Sequence, residues 1–185
     1  MTLLPNPTPF SNWVICRRLI QGAVPGFEAR RQGNYEETVA SFCNMGITTF
    51  ISLLEPKEDE RLTKRHRHYT DIIKEKSPKT KFIKYPIPDG DVADDEKIKP
   101  LIRSIAQTLK TTRDVFYIHC MAGIGRSATI CALVLVELGM SSQGALHHVQ
   151  EMYNTRPRTL KYNSTKQSPS TSKQFQQVYR WSKVD

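Results

Sequence analysis

Nine residues, His-Cys-Met-Ala-Gly-Ile-Gly-Arg-Ser from His119 to Ser127, constrain this chain more than any other stretch. A strand-like apolar run, Val115 to Ile118, leads into them, and a helix-like run, Ser127 to Leu138, leads out. Backbone N–H groups at such a strand–loop–helix turn converge on one point, where the helix dipole adds partial positive charge. A cysteine held at that point has its thiolate form favoured and serves as a nucleophile. Arg126 adds a planar fork that matches two oxygens of a phosphate. The stretch therefore reads as an oxyanion cradle built by Met121, Ala122, Gly123, Ile124, Gly125 and Arg126, with Cys120 at its base.

One rival pattern overlaps it. Gly123-Ile124-Gly125-Arg126-Ser127-Ala128 fits the G-x-G-x-x-G/A dinucleotide fingerprint. That fingerprint requires a following strand and an acidic residue about twenty positions on. Ser141 to Asn154 reads instead as a helix, and Glu137 lies inside the preceding one. About 57 residues remain beyond the loop, against roughly 100–150 for a complete Rossmann domain. A buried cysteine in an ordinary strand–helix turn would leave Arg126 and both glycines without a purpose.

The spacing His-Cys, five residues, Arg, Ser resembles the signature of the cysteine-based protein tyrosine phosphatase superfamily. The interior Ala-Gly-Ile-Gly is close to the form of tyrosine-directed members, and the Val24-Pro25-Gly26 turn resembles the entry of small dual-specificity-type members. The resemblance implies hydrolysis of a phosphomonoester through a phosphocysteine, with no metal and no cofactor. It also implies an aspartate general acid on a loop upstream of the cysteine. Here that loop is Tyr-Pro-Ile-Pro-Asp-Gly-Asp, Tyr85 to Asp91, and Asp89 matches by its place before glycine. Asp91 is second choice, with Asp94 and Asp95 behind it. Ser127 would donate a hydrogen bond that helps the thiolate leave, and His119 would order the loop and tune Cys120. Ser168 to Phe175 (SPSTSKQF) resembles the S-P-x-T-x-x-Q stretch that orients the hydrolytic water, which assigns that task to Gln174. Glu55 is expected to pair with Arg126. The Trp-Pro-Asp of large receptor-type members is missing.

The remainder of the chain alternates strand and helix patterns and finishes in a helical run. Asn12 to Ala23, Ile47 to Leu54, Lys81 to Ile87 and Val115 to Ile118 read as β. Tyr35 to Met45, Asp95 to Lys110, Ser127 to Gly139, Ser142 to Asn154 and Ser172 to Ser182 read as helices, while Glu55 to Ser77 reads as an exposed loop and helix. The expected fold is a three-layer α/β/α domain over residues 1–185. Its central sheet is twisted and mainly parallel, its helices cover both faces, and Met1 to Ser11 forms an extended arm. Arg156 to Lys166 reads as a basic insertion that brings Arg156 and Arg158 close to substrate.

Four cysteines, Cys16, Cys43, Cys120 and Cys131, are widely separated and lack metal-ligand spacing, which points to a reducing compartment, cytoplasm or nucleus. Cys131 reads as core, and Cys16 or Cys43 as a candidate redox partner for Cys120. No membrane anchor is legible in the sequence. The net charge of +9 favours anionic partners without choosing among them. Lys64 to His68 reads as a solvated face or a docking patch. A phosphoprotein is the leading substrate class, phosphotyrosine first, phosphoserine and phosphothreonine next. Phosphoinositides and RNA 5′ phosphates form the second class, and a non-catalytic phosphate-binding module is the third reading. The resemblance implies a choice among these: lipid-directed relatives often place lysines inside the cradle, where this chain has Met121 and Ile124, and RNA-directed relatives usually have Asn before the arginine, where it has Gly125.

Overall fold

The computed structural model describes residues 5–29, 34–158 and 167–181. Among these, five strands form one sheet: β1 (Ser11–Ile15), β2 (Leu19–Ala23), β3 (Thr49–Ser52), β4 (Lys81–Lys84) and β5 (Phe116–Cys120). The spatial order is β1-β2-β5-β3-β4. Only three residues join β1 to β2, so that pair is antiparallel; Arg17 turns the corner at φ 55°. The other neighbours, β2 with β5, β5 with β3 and β3 with β4, are all parallel, because helices intervene between successive strands. β5 is thus the central strand, paired on both edges and buried along its whole length. Its carboxyl end, where ligands bind in such sheets, carries His119 and Cys120.

Among the described residues seven α-helices accompany the sheet: α1 (Tyr35–Ser41), α2 (Pro56–Thr63), α3 (Tyr69–Lys76), α4 (Asp95–Thr111), α5 (Arg126–Glu137), α6 (Ser142–Asn154) and α7 (Ser172–Trp181). Strand alternation sorts the core into two layers. Phe116, Ile118 and Cys120 of β5 join Leu19 and Ile51 in a cluster with residues of α4, α5, α6 and α7. Tyr117, with Ile20 and Phe50, packs on the opposite face against Val39 of α1 and Tyr69, Ile72 and Ile73 of α3. α5 is apolar on every side and buried from Arg126 to Leu135, as expected for a helix enclosed by α4, α6, α7 and the sheet. The mainly parallel α/β/α sandwich expected from the sequence is what forms.

Several boundaries differ. β3 and β4 are four-residue strands, shorter than the apolar runs around them, since the chain leaves the sheet at Leu53 and Tyr85 to shape the site. The run Tyr35 to Met45 splits into α1 and a 3₁₀ turn, Phe42–Met45, which Gly46 ends at φ 69°. Glu55 to Ser77 holds two helices, and its sparse apolar residues Ile72 and Ile73 are fully buried. Thr8 to Ser11 closes a hydrogen-bonded turn and Ser11 opens β1, so an extended arm does not reach Ser11. The arm's residues 1–4, the segment 159–166 and Ser182 lie outside the described residues.

Gly22 illustrates how tightly β2 meets β5. A methyl group there would lie 2.1 Å from the Tyr117 hydroxyl, which donates to Ala23 O at 2.8 Å. Gly22→Ala is expected to lower unfolding stability in urea by about 1–3 kcal/mol, the range for overpacking a filled interior; an unchanged midpoint would mean that the Tyr117 ring is free to move.

Candidate active site

The cradle's geometry follows from where its carbonyls are tied. Val24 N–H donates to Met121 O at 3.2 Å, Gln21 Nε2 to Gly123 O at 2.9 Å, Ser168 Oγ to Ile124 O at 2.7 Å, and Thr129 N–H to Gly125 O at 3.0 Å. In a planar trans peptide the N–H points opposite to the C=O. Fixing these four carbonyls on the scaffold therefore turns the amides of Ala122, Ile124, Gly125 and Arg126 away from it. None of those four N–H groups has an acceptor among the described residues. Gly123, at φ 71°, is required here: a side chain would also strike the β2 backbone, 2.3 Å from Ala23 N. At Gly125 a methyl would strike Ser170 Oγ at 2.6 Å and Gln174 at 2.9 Å. The result is a ring of free amides at the start of α5, with the buried Cys120 beneath it, 3 % exposed. Ser127 Oγ lies 3.6 Å from Cys120 Sγ, in hydrogen-bond range for sulfur.

Arg126 is the first residue of α5 and is 2 % exposed. Its Nη1 and Nη2 donate to the two carboxylate oxygens of Glu58 at 2.6 and 2.8 Å, a bidentate pair. Nη1 also donates to Ile87 O at 3.0 Å and to Leu53 O at 3.4 Å. Burial alone would raise the Glu58 carboxyl, but the Arg126 bonds and charge hold it below its ordinary value. Nε makes no hydrogen bond among the described residues, so the fork keeps a donor for a ligand. The partner expected for Arg126 was Glu55, and the structure corrects this. Glu55 Oε2 instead accepts Asp89 N–H at 3.3 Å, while Glu55 is the N-cap of α2 in a capping box whose other member is Glu58. One helical turn carries Glu58 from the cap back toward the cradle.

His119 points to the opposite face of the sheet from Cys120. It is fully buried, with Nε2 2.8 Å from the Tyr69 hydroxyl and Nδ1 3.4 Å from Cys120 O. Burial pushes its pKa down to about 3, so the ring is neutral and bridges Tyr69 of α3 to the base of the cradle.

The aspartates after β4 separate by their partners. Asp91 is held by Lys173 Nζ at 3.1 Å, which keeps its carboxyl below the usual range. Asp94 caps α4 through Lys97 N–H at 3.0 Å. Asp95 is taken up by Gln177 and Arg180 of α7. Asp89 alone reaches the cradle, with Oδ1 3.0 Å from Arg126 Nη2 and its side chain 81 % exposed. The loop that bears it is pinned just after Asp89, at Gly90 and Asp91. Thr171 Oγ1 donates to Gly90 O at 3.1 Å, and Gln174 Nε2 to Asp91 O at 3.3 Å. Gln174 is buried, and its Oε1 accepts from Ser170 and Thr171 N–H at 3.0 and 3.2 Å.

A family described as "Swiss Army Knife protein, DSP-PTPase phosphatase domain" matches residues 9–178. The chain belongs to this family. It is a small, dual-specificity-like cysteine-dependent phosphatase, and the match runs from the turn before β1 into α7. Among curated proteins, the chain is 30% identical over 67 residues to "Probable protein tyrosine phosphatase type IVA A" of Dictyostelium discoideum; this covers 36% of the chain and 40% of that relative, less than half its length. Two solved phosphatases share the fold. Tk-PTP in its active form superposes with TM-score 0.68 at 19% identity, covering 95% of this chain and 97% of that one. Kinase associated phosphatase, with its catalytic-site cysteine substituted by serine, gives TM-score 0.69 at 21% identity, covering 94% of each chain.

The phosphatase fold thus gathers Cys120, Asp89, Arg126, Ser127 and Gln174 around one loop, with His119 beneath it. Other expectations fail. Arg156 does not line the mouth: it is buried, 2 % exposed, bonded to Asn12 and Gln21 O. Arg158 lies over the Tyr153 ring at 5.1 Å. Cys16 is exposed at the β1–β2 turn, at the other end of β5 from Cys120, and Cys43 packs with the α1/α3 layer. Neither is placed to pair with Cys120. The Lys64 to His68 run is also divided, with His66 stacked on Tyr35 and His68 2.9 Å from Asp59. Sequence reasoning missed Glu58, Gln21, Tyr69 and Ser168. Of these Glu58 left a signal as the third residue after a capping Glu55 and before Asp59 (EPKED), and Ser168 opens the S-P-x-T-x-x-Q stretch, though its hold on the cradle does not show there.

Glu58→Gln keeps the capping box and removes the charge facing Arg126. Its expected cost is about 2 kcal/mol in chemical denaturation, less than for a fully buried pair because Glu58 is partly solvated, against under about 0.5 kcal/mol for Glu55→Gln. Equal costs for the two would return the pairing to Glu55.

Proposed function

We propose that this phosphatase hydrolyses phosphotyrosine in protein substrates, with phosphoserine and phosphothreonine as secondary substrates. One observation carries the reading: a buried cysteine stands under a ring of uncommitted amides, beside a guanidinium locked in place, with a single solvated aspartate at the rim. Cys120 sulfur attacks phosphorus in line and the P–O ester bond breaks. Asp89, as the carboxylic acid, gives its proton to the departing oxygen. Arg126 and the amides of Ala122 to Arg126 hold the equatorial oxygens as charge spreads over them. Water then attacks the phosphocysteine, Asp89 takes a proton from it, the S–P bond breaks, and Ser127 hydrogen-bonds to the departing thiolate. Gln174 meets Asp91 O through a 3.3 Å bond, long enough to be exchanged for a bond to that water. His119 stays neutral and holds the strand end. No step calls on a metal or cofactor.

Depth and charge support the protein reading. Cys120 lies at the floor of the cradle, which favours a phosphate presented on the long arm of a tyrosine. The walls Met121 and Ile124 are uncharged, and Glu55, Asp89 and Asp91 put acidic groups near the mouth, unfavourable for a headgroup bearing several phosphates. The net charge of +9 is the observation on the side of phosphoinositide or RNA substrates. Cytoplasm or nucleus remains the proposed location; no helix among the described residues is long and apolar enough to cross a membrane.

Turnover of an aryl phosphate by single variants tests the chemistry. Cys120→Ser is expected to abolish it, and Asp89→Ala to lower kcat by about 10²- to 10⁴-fold with KM little changed. Asp91→Ala should cost far less; the reverse ranking would transfer the acid to Asp91. An inert wild-type protein that still binds phosphate would favour the non-catalytic module. Side-by-side rates on phosphopeptides, phosphoinositides and 5′-phosphorylated RNA test the substrate class, and a preference for either non-protein class would overturn the proposal.

A further inference from the structure

A cation is buried under the sheet end that carries the cradle, and the chemistry above does not use it. Arg156 follows α6, is 2 % exposed, and makes no ion pair with a carboxylate among the described residues. Its Nε donates to Asn12 Oδ1 at 2.7 Å, its Nη2 to Gln21 O at 3.0 Å, and Tyr153 covers one face of the guanidinium at 5.0 Å. Nη1 is buried with no hydrogen-bond partner among the described residues. Burial lowers the guanidinium to about 10, so it is still charged at neutral pH. A buried charge without a counter-charge is expensive to keep. The groups within its electrostatic reach that can carry negative charge are Tyr117, Tyr153, Cys120 and Cys131. Burial pushes Tyr117 and Cys131 far up, which keeps both neutral. Tyr153 is fully buried and lies against the guanidinium through its ring face. Of these groups Cys120 is the one at the cradle, where a bound phosphoryl group also brings negative charge.

We propose that Arg156 is a positioning residue that holds the site in its anionic form from below, stabilising the Cys120 thiolate and the bound phosphoryl group without touching either. It rests on the reading of Cys120 as nucleophile. Two links tie Arg156 to the cradle. One is its field, which acts through a dry interior where charge is poorly screened. The other is mechanical. Arg156 fixes the Gln21 backbone, and the Gln21 side chain holds Gly123 O at 2.9 Å and Ser168 Oγ at 3.1 Å. The remaining groups that set the Cys120 environment are Arg126 above it, the neutral His119 beside it, the Ser127 hydroxyl, and Asp89 acting through Arg126.

The test is the pH dependence of Cys120 alkylation by iodoacetamide, read on the Cys120 peptide by mass spectrometry, with thermal unfolding measured in parallel. Arg156→Met is expected to raise the alkylation midpoint by about one pH unit, equivalent to a tenfold loss of thiolate at a given pH below it. Arg156→Lys should restore most of that. Asn12→Asp provides a variant that keeps Arg156. The Asn12 Nδ2 group has no partner, so the change sacrifices no hydrogen bond while placing a carboxylate on the guanidinium. It too should raise the midpoint, and weaken inhibition by inorganic phosphate severalfold. A folded Arg156→Met with an unchanged midpoint would assign Arg156 to structure alone. Should Arg156→Met fail to fold, an unchanged midpoint in Asn12→Asp overturns the proposal. Alkylation is read without turnover, so a wild-type protein inert toward aryl phosphates would count against the catalytic reading and not against this comparison.

Discussion

The bidentate contact between Arg126 and Glu58 is the interaction on which the rest of the site depends. A guanidinium 2 % exposed is costly unless its charge is matched and its N–H groups are bonded, and at Arg126 Glu58 matches the charge while Glu58, Ile87 O and Leu53 O accept from Nη1 and Nη2. The consequence reaches three elements at once. Arg126 opens α5, Glu58 sits in the first turn of α2, and Ile87 begins the loop that delivers Asp89. A single planar group therefore sets the distance between the nucleophile loop and the acid loop. It is held on the Nη side while Nε stays uncommitted among the described residues, which is the orientation the proposed phosphate contact calls for.

The acid loop has a second anchor. α7 and the residues before it grip the loop residue by residue, through Thr171 to Gly90 O, Gln174 to Asp91 O and Gln177 to Ala93 O. Ser168, in the same segment, also holds Ile124 O of the cradle. The C-terminal segment is thus a clamp between the cradle and the loop that bears Asp89, the proposed acid. Asp89 projects from the one part of the loop this clamp leaves solvated, which suits a group that must give a proton to a leaving group and take one back from water.

Legibility from sequence followed the range of the interactions. The cradle was legible because its chemistry is local: nucleophile, glycines, arginine and serine lie within nine residues, and strand and helix patterns flank them. The layer order was legible because strands joined by helices run parallel. Glu58 was passed over for Glu55, since the choice depends on which residue of a capped helical turn faces back, and both are acidic. Arg156 is expected beside the substrate because it opens a basic segment read as an insertion at the mouth; its burial comes from Asn12 and Gln21, more than 130 residues away in the chain. Gln21 acts on a backbone carbonyl and Tyr69 on the far side of the sheet, and such contacts leave no periodicity or spacing to read; Ser168 lies in a recognisable motif, but the motif does not show its bond to Ile124 O.

The central claim is that Cys120 itself becomes phosphorylated. Rapid acid quench of the wild-type enzyme during turnover of an aryl phosphate, followed by mass spectrometry of the peptide containing Cys120, tests it most directly. The account predicts a phosphate mass on Cys120 at early times, lost as the substrate is exhausted. Steady turnover with Cys120 unmodified, or with the phosphate on another side chain, would contradict it.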